Sequence, residues 1–143
     1  MDTLNGQLVL VNPKLTYDPD LRAGQIGIIT GAQLRKDEIT VRFADGQKCL
    51  YATDALLLPR SQQEFSQRIK DSFMQLEAED FVFLMEVDDR LQNPTVLSVS
   101  EALDMISGHP IALDKGTISL DEHIRRMEDL GRDAPKQDTG RGR

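Results

Sequence analysis

The chain has 143 residues, 39% hydrophobic and 29% charged, enough for one modest domain or two small ones. Its 17 basic and 24 acidic side chains leave a net charge of −7, which excludes a polycation that coats phosphate indiscriminately. A single cysteine, Cys49, excludes an intrachain disulfide framework and a cysteine-based zinc finger. No apolar run approaches the roughly 18–20 residues of a membrane span. The opening MDTLNGQLVL has neither the cationic head nor the long apolar stretch of a secretory signal, so no membrane association and a cytoplasmic location are expected.

Charge is distributed unevenly along the chain. Residues 1–60 balance seven basic against seven acidic side chains, whereas residues 71–122 set twelve acids against Arg90 and Lys115, a net −10. Composition shifts with it, from Gly, Val and Ile to Glu, Asp, Leu and Met, and the boundary falls near Pro59. The expected organisation is a β region over 1–60, an acidic helical region over 61–131 packed on or beside it, and a disordered tail over 132–143.

In chain order, Gln7 to Val11 forms a short apolar run closed by Asn12-Pro13, which cannot continue a central strand. Gln25 to Thr30 is β-branched between Gly24 and Gly31. Ile39, Val41 and Phe43 alternate with polar neighbours at the period of a half-buried strand. Asp45-Gly46 is a hairpin turn into Lys48 to Tyr51. A strand pattern through Leu58 completes about five short strands, too few for a two-sheet sandwich, so a small closed or nearly closed barrel is expected. Cys49, beside Leu50 in a strand, reads as a small core residue.

Ser61-Gln-Gln-Glu64, Ser98-Val-Ser-Glu101 and Ser119-Leu-Asp-Glu122 each read as a capping box that starts a helix. The first launches Phe65, Ile69, Phe73 and Leu76 on one face, and Gly108 and Gly131 are stop signals for the second and third. Phe81 to Val87 has strand-like residue types but helix-favouring flanks. It is read as helix, because a lone strand there would need a partner. Three or four helices are expected, giving an α+β fold.

Gly24-x-x-Gly27-x-Ile29, Ile39-x-Val41-x-Phe43-x-Asp45-Gly46 and Tyr51-x-x-Asp54-x-Leu56 together resemble the core of SH3-like small barrels. The same stretch is similar to the KOW-type barrels of ribosome- and transcription-associated proteins, but it lacks an early basic cluster. The resemblance implies a barrel fold over residues 20–58 and no particular activity.

Catalytic and metal chemistry find little support. His109 and His123 stand on different elements without HxxxH or HxxxE spacing, so no metal site is expected. The paired acids Glu79-Asp80, Asp88-Asp89, Asp121-Glu122 and Glu128-Asp129 diverge on a helix instead of facing one another across a pocket. No GxxxxGK[ST] loop occurs. No cofactor and no enzymatic activity are therefore expected.

Two surfaces remain. Arg35, Lys36, Arg42 and Lys48 are expected on the outside of the barrel, where convergence would suit a nucleic acid or ribosome-associated role. The acidic helices, with Phe81, Phe83, Met85, Asp88 and Asp89, are expected to form the main contact face. That face would dock another protein, or a second copy, through a cationic surface. The leading expectation is an interaction or adaptor module; a nucleic-acid factor is the second.

Overall fold

The fold is given by a computed structural model that describes residues 4–139. The strands are β1 (Leu8–Val11), β2 (Ile26–Gln33), β3 (Glu38–Phe43), β4 (Lys48–Tyr51) and β5 (Leu56–Pro59). Four helices follow: α1 (Gln62–Ser72), α2 (Ala78–Gln92), α3 (Val96–Ser107) and α4 (Pro110–Gly116). The chain then returns to the sheet as β6 (Thr117–Ser119) and leaves it as α5 (Leu120–Thr139). The class is α+β, as expected.

All strand pairs are antiparallel, in the order β4-β3-β2-β1-β5-β6. The sheet is open, which corrects the expected closed barrel. β6 pairs with the outer edge of β5, matching Leu58 to Ile118, so β5 is an interior strand instead of a closing one. One face carries Val9, Val11, Ile29, Ile39, Val41, Phe43, Tyr51, Leu56 and Leu58, covered by Leu120 and Ile124 of α5. The opposite face buries Leu10 and Leu57 against Phe65, Ile69, Leu84, Leu103, Ile106 and other helical side chains. Strands β1 and β5 are thus buried on both sides, which is why they read as the unbroken apolar runs LVLV and LLL instead of alternating.

Local signals set most boundaries. Ser61 caps α1, its Oγ accepting the Glu64 N–H at 3.2 Å, and Ser119 Oγ accepts the Glu122 N–H at 3.1 Å at the start of α5. Phe81 to Val87 is helical within α2, where Leu84, Val87 and Leu91 supply the buried face. Ser98 is not the cap of α3. Thr95 takes that place, and Ser98, at the third helical position, closes the box by accepting the Thr95 N–H at 2.8 Å.

The described residues hold five α-helices where three or four were expected. The addition is α4, which a Pro at its first position favours and which His109 caps. Gly131 does not stop the last helix, which continues to Thr139 through most of the segment expected as a disordered tail. Residues 140–143 of that segment lie outside the described residues.

Candidate interaction surfaces

Helix α1 ends at Ser72, and a 3-10 turn at Phe73–Gln75 swings Phe73 off the buried stripe of Phe65 and Ile69. Phe73 is 52% exposed and meets Phe81 of α2 edge-to-face at 5.2 Å. Between the two helices lies a groove of about 410 Å3 lined by Ser66, Ile69, Lys70, Phe73, Phe81 and Met85. Met74, 91% exposed, and exposed Val82 follow Phe73 and Phe81 directly in the chain. Asp71, Glu77, Glu79, Glu86 and Asp89 are exposed on the same two helices and the turn between them, against Lys70 and Arg90.

The residues expected on the acidic contact face therefore divide. Phe81 and Met85 line the groove and Asp89 is exposed. Asp88 is only 3% exposed and accepts hydrogen bonds from Gln62 Nε2 at 3.0 Å and Gln92 Nε2 at 3.2 Å. It fastens α1 to α2 and is withdrawn from any docking face. Phe83 turns away from the groove and stacks on the His109 ring, with centroids 4.3 Å apart and planes within 9°.

His109 is the polar site that the sequence pattern missed. Its Nδ1 accepts the Ala112 N–H at 3.2 Å, capping α4, while its Nε2 lies 3.2 Å from Asp80 Oδ1. With Nδ1 accepting, Nε2 is the nitrogen placed to donate to Asp80. This wiring holds the α3–α4 corner to α2. The local signal was His-Pro, a capping residue ahead of a proline at the first helical position.

The four cations expected to converge, Arg35, Lys36, Arg42 and Lys48, do not. Arg35 and Lys36 sit in a 3-10 turn between β2 and β3, whereas Arg42 faces Lys48 across the β3–β4 ladder. At ~3.3 Å per residue, about 13 Å of β3 separates the two pairs. Arg42 also borders a second groove, of about 680 Å3, between α3 and the outer face of β1, β2 and β3. Nearby, Arg22 bonds Asp45 at 2.9 Å and lies 4.6 Å from the centre of the Phe43 ring, pinning the long β1–β2 connection to the hairpin. The Gln47 N–H and Arg22 hold the Asp45 carboxyl below the usual carboxylate range.

Cys49 is partly buried against the first core, and burial pushes its thiol above the usual range, which suits a packing residue better than a nucleophile. Among the described residues no group of three or more His, Cys, Asp or Glu is placed to hold a metal ion. Nor is any described helix long and apolar enough to cross a membrane. Comparison with known proteins gives no match: no family model fits the chain, and no curated protein or solved structure is found similar to it.

Proposed function

We propose that the chain is a non-enzymatic interaction module whose docking face is the groove between α1 and α2. The observation that carries this reading is a set of exposed apolar side chains, Phe73, Met74, Val82 and Met85, with half-buried Phe81 in the groove, among the exposed acids of the same helices. Two aromatic rings and two flexible methionines are the side chains that adapt best to an inserted apolar face. The partner that fits is an amphipathic helix with an apolar stripe and a basic back, held by burial and steered by the −10 segment.

The SH3-like reading of residues 1–60 draws support from the strand order β4-β3-β2-β1-β5, in which β1 pairs with β5. In this reading the sheet is the scaffold that holds the helices. A cytoplasmic setting suits a lone thiol. Nucleic-acid binding through the barrel is the second reading. It draws on Arg35, Lys36, Arg42 and Lys48, whose separation into two pairs favours it less.

Calorimetric titration with a synthetic Leu/Lys amphipathic helix tests the proposal. Binding is expected to weaken as salt rises and to fall by about tenfold or more in Phe73→Ser and Met85→Ser. Both positions are exposed enough for the fold to tolerate the change. Affinity unchanged in both variants, or no binding by the unmodified chain at low salt, would overturn it.

A further inference from the structure

The second groove has a different chemistry from the first. Its floor and walls include Ile26 and Ile28 on β2 and Val96 on α3, and its polar groups are few: Arg42, Thr30 and Ser100. Val96 is 69% exposed and Ile28 is 39% exposed, so apolar surface faces solvent on both sides of the cleft. The volume of about 680 Å3 lies within the roughly 300–1,000 Å3 of small-molecule sites, which are likewise mostly apolar with a few placed polar groups.

The charge at one end is also specific. Arg42 lines the groove, and Lys48, outside the lining, stands directly opposite it on β4; neither forms an ion pair among the described residues. Two adjacent cations without a carboxylate repel each other and are relieved by an anion. Asp45, the acid of the neighbouring turn, is already engaged by Arg22.

We infer that this groove binds a small amphiphilic carboxylate, its apolar chain against Ile26, Ile28 and Val96 and its carboxylate at Arg42 and Lys48. A peptide is a poorer fit. Each of its residues brings an N–H and a C=O that need partners when buried. Gly27 and Ile28 of β2 are already in register on both sides, with β1 and with β3, and the polar side chains of the lining are one guanidinium and two hydroxyls. A single alkyl or aryl chain makes no such demand, and its one charged end matches the one charged end of the groove. The site is independent of the groove between α1 and α2.

Titration of the isotopically labelled full chain with sodium decanoate, below its micelle-forming concentration, tests the inference by nuclear magnetic resonance. Saturable amide shifts are expected at Ile26, Ile28, Thr30, Arg42, Val96 and Ser100. Arg42→Glu is expected to weaken binding by about tenfold or more, and Val96→Glu, at an exposed position that a carboxylate tolerates, to do the same by repulsion. Decanol, which keeps the chain and lacks the charge, is expected to bind about tenfold more weakly than decanoate. The inference fails if shifts do not saturate, if they centre on Phe73, Phe81 and Met85, or if decanol binds as well as decanoate. Co-sedimentation with phosphatidylglycerol vesicles, lost in Arg42→Glu, would assign the cation pair to a bilayer surface and overturn the free-carboxylate reading.

Discussion

Tyr51 shows how a single buried polar atom shapes stability. Its ring lies edge-on to Phe43 at 6.4 Å inside the first core, yet its hydroxyl is buried and finds no hydrogen-bond partner among the described residues. Burial pushes the phenol up to about 12. In the unfolded chain the same group ionises near pH ~10. The folded state therefore binds the proton more tightly than the unfolded state. Its contribution is complete below the unfolded value and is lost as pH rises through the window up to about 12. Tyr51→Phe is expected to remove that alkaline loss and, by deleting an unpaired buried hydroxyl, to raise stability by about 1 kcal/mol near neutrality. Urea unfolding of both proteins at neutral and alkaline pH checks this. Parallel pH profiles for the two would show that the phenol carries none of the slope.

At the level of elements, Gly27 is the most tightly enclosed of the described glycines. It stands between Val9 on β1 and Phe43 on β3. A Cβ there would fall 2.4 Å from Val41 Cγ1 and 2.9 Å from the Arg42 carbonyl oxygen. Because one of those neighbours is backbone, the ladder itself must move to admit a methyl group. Gly27→Ala is expected to cost about 2 kcal/mol or more, read as a lower urea midpoint with an unchanged slope. A midpoint within error of the unmodified chain would show that β2 and β3 can separate freely at this step. The glycine that resembles a barrel bend is, on this geometry, a packing requirement of three adjacent strands.

Across the whole molecule, sheet and helices share both cores: α5 closes the first, and α1 to α4 pack with β1 and β5 in the second. In the second, Leu10 and Leu57 come from the strands and Phe65, Ile69 and Leu84 from the helices, and only Arg60 and Ser61 link β5 to α1. Sixty residues alone bury only about 60% of the surface that their unfolded chain exposes. Residues 1–60 expressed by themselves are therefore expected to lack a cooperative thermal transition. Ile69, 3% exposed, sits in the second core, so Ile69→Asp would bury an unpaired carboxylate at a cost of several kcal/mol, about 3–5. Hydrogen exchange should then show protection lost together in β1, β5 and α1. Strands that keep full protection while α1 opens, or an isolated 1–60 fragment melting like the full chain, would make the two halves separate modules.

Strand positions, the Asp45-Gly46 hairpin and the caps at Ser61 and Ser119 were legible in the sequence because each depends on residues within a few positions of one another. Period-2 alternation, a turn dipeptide and a hydroxyl three residues ahead of its N–H are local physics. The segment Phe81–Val87 was also readable, since its flanks favour helix more than its own residue types favour strand. What depends on distant partners was not legible. Thr117–Ser119 is a strand only because β5 presents an unpaired edge to it, and that edge is what leaves the sheet open. Asp88 looked like a surface acid until α1 brought Gln62, 26 residues away, over it. Arg42 and Lys48 were foreseen on one face, but their distance from Arg35 and Lys36 follows from the length of β3 in its register. Both grooves exist only between elements, α1 against α2 and α3 against the sheet, so residue type could nominate Phe81, Met85 and Arg42 while tertiary packing alone decided which surfaces they line.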